Sequence, residues 1–455
     1  MAASNGPTVQ LVNPASIISD FKKGNLHVDF LEMTLLQNSP SDNAISYNGR
    51  GYIRQTEEGA LEYKLYANET RNSNYIVDFR RQFEVQSGEV LPEDSYFTLT
   101  GVAANGGSWK AEHVIPKCDW HAQHADPIVY GKLSSVTGGE PPSNPKAIAL
   151  HFFEKTDLPI LNNESKFGIG DSEFHIESGD DNFIVRAKSN SPLPEHFAIR
   201  IEEALRFLLA QSVTPRVIVQ PNCVTLISKT LKSPMIRLGP PISRGSEGFH
   251  DNSWGLFGTY LDYVTRETNF ANWNACTGYL HMAHEASANS LDAWAMGLGV
   301  AVEGLASLIN FEQDAEESNK RAEEKARLKE LQNFIVDRVS NQDAFSEFTE
   351  RVRGLVAGLT SVRAIDRMRW LSSLDKIDPS HIEAWRRLRN SSVHPKSRGE
   401  VDIASVDFQK MIDEVHCVTV LLYHIVFHII GYSGPYTDYA TRNFPVKNYP
   451  LTVAS

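Results

Sequence analysis

The chain has 455 residues, with 44 Lys and Arg against 56 Asp and Glu, and a formal net charge of -12. Hydrophobic residues make up 41% and charged residues 22%, which excludes global disorder and a low-complexity fibre. At roughly 150 residues per domain, two or three domains are expected, and the acidic balance excludes a protein coated in positive charge for indiscriminate nucleic-acid binding.

The N-terminus, MAASNGPTVQLVNPASII, has neither the basic start nor the continuous apolar core of a secretory leader. From about Leu26 to Ala187 the texture is that of strands and turns. Gly51–Thr56 and Leu61–Leu65 flank Glu57-Glu58-Gly59 and predict a hairpin. Leu61, Tyr63 and Leu65 alternate with Glu62 and Lys64, one face in and one face out. Tyr96–Thr100, Ala147–Phe153 and Phe183–Ala187 are further strand candidates. Ala104–Gly107 reads as a plain turn. The Gly and Pro residues of Ser134–Pro145 predict a loop without a strand.

The pattern changes at Pro194. Ile201, Ala204, Leu205 and Leu208 predict an amphipathic helix over Glu195–Gln211, followed by a short strand pair at Val217–Val219 and Val224–Ile227. Gly239–Gly248 is the strongest boundary signal. Beyond Asn252 helices dominate: Leu291–Asn310, a charged solvated helix over Gln313–Val339, Asp343–Leu359, His381–Asn390, and a long helix from Ser405 to Ile430. The apolar run Val418–Tyr432 is short of the roughly 20 residues a bilayer span needs and contains His424 and His428, so a buried helix is expected. Four scattered cysteines (Cys118, Cys223, Cys276, Cys417) give no disulfide framework. The expectation is a cytoplasmic α+β multidomain protein without a membrane partner. Its parts are a β-rich sensing or binding region (1–190), a small α/β connector and linker (191–250), and an all-α bundle (251–455).

Charge is unevenly spread. Residues 351–398 hold 11 Lys and Arg against four Asp and Glu, a net +7 inside an acidic chain. Such a window can follow a phosphate backbone or simply form a solvated helical surface. Within it, Arg389 and His394 stand five residues apart, about 140° of rotation on an ideal helix. Pro395 disfavours helical geometry at His394. The two can converge only at a helix end or across a second copy. An arginine fork holds phosphate, and a histidine moves a proton near neutral pH; together they suit RNA cleavage through its own 2′-hydroxyl, without a metal.

Arg389-Asn390-Ser391-Ser392-Val393-His394 resembles the R-N-x-x-x-H motif of the HEPN superfamily, helical domains of which many are ribonucleases. The frame is similar over about residues 270–435: an apolar helix, a charged insertion, the motif at a helix end, and a long last helix. With the β-rich front half and the closing Gly431-Tyr432-x-Gly434-x-Tyr436, the architecture resembles the ApeA-like proteins of bacterial anti-phage defence. The resemblance implies a HEPN-like bundle and a metal-independent endoribonuclease without cofactor. Its expected partner is RNA, with tRNA among the candidates. It would act as a homodimer or higher oligomer through the HEPN domain, with a phage-derived trigger as a candidate activator. Arg389 would hold the scissile phosphate, His394 would act as general acid or base, and Asn390 would support the loop or touch the substrate backbone. Arg386, Arg387, Lys396 and Arg398 would bind RNA. The alternative implied is a non-catalytic HEPN scaffold that binds nucleotide, RNA or protein.

Glu303 is the only charged residue between Ala293 and Phe311. Its carboxylate must be paired or open to a cleft. HEPN proteins often carry a polar residue here facing the Arg/His site; an ordinary ion pair between helices is the other option. His113, Cys118, His121 and His124 have ligand types that suit zinc, but not a standard zinc-module spacing. His281 and His284 lack the His-Glu-x-x-His order and are expected to pack or cap. No phosphate loop and no Gly-x-Ser-x-Gly elbow is present.

Overall fold

A computed structural model describes residues 14–40, 44–71, 89–119, 127–229, 238–310, 315–393 and 406–451. The chain divides into two compact units. The first holds residues up to Glu202 and Val213–Ser233; the second holds Glu203–Ser212 and everything from Pro234. The segment expected as a separate connector is therefore shared between them.

The first unit opens with helix α1 (Pro14–Lys22) and strands β1 (His27–Gln37), β2 (Ser46–Gln55), β3 (Leu61–Arg71), β4 (Phe97–Ala103) and β5 (Ser108–Val114). Then come β6 (Lys117–Asp119), β7 (Ile128–Leu133), β8 (Ser135–Gly139), β9 (Ala147–Phe152), β10 (Glu164–Ile169), β11 (Ser172–Ser178) and β12 (Phe183–Ser189). Helix α2 (Phe197–Leu209), whose residues from Glu203 on belong to the second unit, β13 (Val217–Gln220) and β14 (Cys223–Ile227) follow. Among the described residues the strands form one 14-stranded sheet in the order β10-β11-β12-β9-β13-β14-β8-β5-β4-β1-β2-β3-β7-β6. All its pairings are antiparallel.

Half of this sheet curls on itself. β6 continues β5 after Ile115 and Pro116, and pairs with β7. β5 and β6 thus act as one bent strand, bonded to β4 on one side and to β7 and β8 on the other. The ring encloses Phe30, Leu35, Tyr47, Leu61, Tyr63, Leu65, Phe97 and Val129. Alternation drives the closure: Leu61, Tyr63, Leu65 and Ala67 point inward while Glu62, Lys64 and Tyr66 do not. The expected hairpin between β2 and β3 is present, turning at Gly59 with φ +84°.

Ser134–Pro145 corrects the sequence expectation. Its first part is β8, an internal strand between β5 and β14. The glycines permit the strand here rather than breaking it. A Cβ on Gly138 would lie 3.0 Å from the Trp109 ring, and one on Gly139 (φ +85°) would lie 2.1 Å from the Asn222 carbonyl. Close approach is what the missing side chains allow. Only the remainder of the segment is loop.

The second unit contains α3 (Phe249–Glu267), α4 (Ala275–Ser287), α5 (Leu291–Ser307), α6 (Ala315–Ser340), α7 (Thr349–Ala357), α8 (Ala364–Ser373), α9 (Pro379–Val393) and α10 (Val406–Ile430). The hairpin of β15 (Gly434–Thr437) and β16 (Val446–Tyr449) closes it, a feature absent from the sequence expectations. α5 packs against α4, α8, α9 and α10, and is the hub of the bundle. Gly297 and Gly304, seven residues apart, let α4 approach it; a Cβ on either would lie 2.2 Å from Ala286 or Tyr279. α6 buries no described side chain, in keeping with the solvated helix expected over Gln313–Val339, and α7 buries none either. Gly431 (φ +73°) stops α10, where the Tyr432 N–H reaches back to the Phe427 carbonyl at 2.9 Å.

Gly239–Gly248 is not a boundary between the units. The Gly239 carbonyl accepts from the Tyr423 hydroxyl and that of Pro240 from Tyr439, while Ile242 is buried. Among the described residues one helix, Phe408–Ile430, meets the length and hydropathy of a membrane span, but 61% of its most apolar window is buried within the protein. α10 thus has the character of a core helix, with Val418, Leu421, Leu422, Ile425 and Val426 wholly enclosed.

Candidate active site

α9 is amphipathic. Ile382, Trp385 and Leu388 recur every three residues and are buried, which leaves Arg386, Arg389 and Asn390 on the outer side. α5 offers the complementary surface. Leu298, Val302 and Leu305 face the core, while Glu303 sits at the margin and is partly exposed.

Two contacts join these helices one turn apart. The buried Trp385 indole N–H donates to the Gly299 carbonyl at 3.0 Å. Four residues further along each helix, Arg389 meets Glu303: Nε donates to Oε2 at 3.0 Å and Nη2 to Oε1 at 3.3 Å. Both contacts gather around Gly299, where a Cβ would lie 3.9 Å from that of Arg389, so the missing side chain lets α9 come close to α5 at this point. Both members of the ion pair are 44% exposed, so its fork is open to solvent. The guanidinium also lies 5.9 Å from the centre of the Trp385 ring, within cation–π range.

Arg367 fixes the far end of α5. Its Nη1 donates to the carbonyls of Ala306 (3.4 Å), Ser307 and Ile309 (2.7 Å), a favourable cation at a helix C-terminus. Glu303 is thereby held between two braces, Trp385 before it and Arg367 after it. Sequence reasoning missed both. A tryptophan one turn before the motif arginine was the available signal for the first.

The basic window is neutralised in part by carboxylates within it and outside it. Arg353 pairs with Glu350, Arg363 with Asp366 (3.0 Å), Arg386 with Glu383 (2.9 Å) and Arg387 with Glu414 (2.7 Å). The hydrogen bonds from Arg363 hold the Asp366 carboxyl below its ordinary range. Arg386 and Arg387 nonetheless remain on the exposed side of α9, beside Arg389 and exposed Asn390. α9 extends to Val393; His394, Lys396 and Arg398 lie outside the described residues.

The zinc alternative receives no geometric support from its described members. His121 and His124 lie outside the described residues. His113 is exposed, near Glu93 (3.4 Å) and edge-on to Tyr96. The Cys118 thiol points instead to the buried Tyr47 hydroxyl at 3.8 Å, and burial pushes its pKa up to about 12, the wrong direction for a metal thiolate. Among the described residues no group of three His, Cys, Asp or Glu side chains is arranged to hold a metal.

His281 and His284 serve packing, as expected. His281 meets Trp273 edge-on at 4.9 Å, and burial lowers the pKa of enclosed His284 to about 3. His424 is also fully buried, 4.6 Å from the Tyr436 ring and 5.2 Å from that of Tyr449. Both its ring nitrogens lack a hydrogen-bond partner, as do His381 Nδ1 and the Tyr449 hydroxyl.

The first unit holds a second feature the sequence did not reveal. Asn48, Thr34, Thr100, Lys110, Thr137 and Thr225 stand opposite one another across β2, β1, β4, β5, β8 and β14. Thr34 donates to Asn48 at 2.8 Å, and the hydroxyls of Thr137 and Thr225 are 2.9 Å apart. The middle of this row lines a groove of about 670 Å³, which Glu32, Glu112 and Glu140 also border. Only knowledge of strand order places these residues in one row.

Comparison with protein-family models, with curated proteins and with solved structures returned no match, so a functional assignment rests on the motif and on the geometry around Arg389.

Proposed function

We propose that the chain is a metal-independent, HEPN-type endoribonuclease that works as a dimeric effector, in anti-phage abortive infection. The observation that carries the proposal is the setting of Arg389. It stands on the exposed side of α9, beside Arg386, Arg387 and Asn390, with its fork engaged by a carboxylate and its helix braced by Trp385. A fork that binds one oxyanion bidentately has the shape to bind a phosphodiester. The motif resemblance supplies His394.

In this reaction the RNA 2′-oxygen loses its proton to a base and attacks the adjacent phosphorus, forming the 2′,3′-cyclic phosphate. The 5′-oxygen leaves and takes a proton from an acid. His394 serves as one of these proton carriers. Arg389 holds the non-bridging oxygens and stabilises the charge that builds on them. Asn390 supports the loop or contacts the substrate backbone, and Arg386, Arg387, Lys396 and Arg398 attract that backbone. A second copy of the helical unit contributes the complementary set of Arg and His.

The first unit takes the sensing role, with its groove as the surface offered to a trigger. The four free cysteines agree with a cytoplasmic setting. The rival proposal is a HEPN scaffold that binds RNA, nucleotide or protein without cutting. Its supporting observation is the closure of Arg389 by Glu303. Incubation of wild type, Arg389→Ala and His394→Ala with mixed tRNA and mRNA in the presence of chelator, followed by end-group mapping, separates the two.

A further inference from the structure

We infer that Glu303 is a built-in competitor for the Arg389 fork, so that RNA phosphate binds this site by displacing the protein's own carboxylate. The inference rests on the reading of Arg389 as a phosphate ligand and adds how that ligand is regulated.

The geometry supports a competition. Glu303 takes the side-on edge of the guanidinium, with one oxygen on Nε and the other on Nη2. A phosphodiester presents two non-bridging oxygens to an arginine in the same fashion. One fork edge cannot serve both anions. Two anionic groups beside one cation would also repel each other.

The competitor is held in place by its surroundings. Trp385 ties α9 to α5 at Gly299, and Arg367 clasps the last carbonyls of α5. Neither helix has to move for Glu303 to reach Arg389. Displacement needs only a rotation of the Glu303 side chain, which is 44% exposed and has water to turn into. Exposed ion pairs contribute little net free energy, so a well-placed phosphate overcomes this one at modest cost. The device therefore discourages weak anions and casual RNA contacts without blocking a substrate that engages several arginines at once.

The test is a double-mutant cycle read by binding. The probe is a fluorescent RNA oligonucleotide with 2′-O-methyl sugars at every position, which cannot be cut through a 2′-hydroxyl. Dissociation constants are measured at fixed salt for wild type, Glu303→Gln, Arg389→Ala and the double variant, each checked for an unchanged thermal midpoint. Glu303→Gln keeps the side-chain size and removes its charge. It should tighten binding by about threefold to fivefold in the wild-type background, and have no effect in the Arg389→Ala background. An equal gain in both backgrounds assigns the effect to general charge and overturns the inference. So does an unchanged or weaker affinity of Glu303→Gln, or no measurable binding by that variant. Because the probe is uncleavable, the result is independent of catalysis: an inert enzyme with an Arg389-dependent gain would sink the ribonuclease proposal and leave this inference standing.

Discussion

The indole N–H of Trp385 meets the carbonyl of Gly299 at 3.0 Å, one helical turn before Arg389 meets Glu303 on the same two helices. Trp385 thereby aligns α9 with α5 where the exposed ion pair forms. Trp385→Phe keeps an aromatic face and loses the donor. It should lower stability by about 1 kcal/mol, the typical net worth of one hydrogen bond, and tighten RNA binding slightly, because it slackens the alignment that holds Glu303 against Arg389. Trp385→Ala also leaves a cavity and should cost about 3–5 kcal/mol. Denaturant titration and RNA binding on both variants check this; a Phe variant with wild-type values in both contradicts it.

Gly139→Ala should destabilise the first unit by about 2 kcal/mol or more. The residue has φ +85°, and its Cβ would fall 2.1 Å from a backbone carbonyl, so both backbone strain and overlap oppose it. The expected readout is a lower unfolding midpoint for the β-rich unit.

His424→Phe should raise stability by about 1 kcal/mol or more. The native imidazole is fully buried among Tyr436, Tyr449 and His381 with neither nitrogen hydrogen-bonded, and an unmet buried polar group costs about 1–3 kcal/mol. A lower thermal midpoint would mean that an internal water satisfies this cluster.

Acid should destabilise the protein well above the range in which carboxylates protonate. Burial lowers the pKa of His284 and His424 to about 3 and that of His151 to about 4. In the unfolded chain each titrates near 6.5. Below that value the unfolded state binds protons that the folded state refuses. The stability these neutral side chains confer is complete above pH 6.5 and is lost progressively as pH falls toward 3 to 4. Each group contributes a slope on the order of 1 kcal/mol per pH unit in that window. Urea titrations between pH 7 and pH 4.5 should show the loss, and His424→Phe should flatten it. A flat profile contradicts the burial of these groups.

Much of the fold was legible because it follows from periodicity. The alternation of Leu61, Tyr63 and Leu65 marks an inward strand face, and the spacing of Leu298, Val302 and Leu305 marks a core helix face. β8 was hidden because glycine signals both a turn and a close approach. Only the Trp109 ring and the Asn222 carbonyl decide for the strand. Gly239–Pro241 carried a boundary signal from composition, yet Tyr423 and Tyr439 bond to it from nearly 200 residues away. The candidate site was legible as residue types. Glu303 drew notice as a lone charge in an apolar helix, and Arg389 as part of a motif. Their pairing depends on the register between α5 and α9, which Trp385 sets and which no local pattern encodes.

The most direct test of the central claim is end-group mapping of RNA after incubation with the purified protein in the presence of chelator. Mixed tRNA and mRNA should yield fragments ending in a 2′,3′-cyclic phosphate and beginning with a 5′-hydroxyl. Arg389→Ala and His394→Ala, with unchanged thermal midpoints, should yield none. Undiminished cleavage by both variants, or fragments beginning with a 5′-phosphate, would contradict the account.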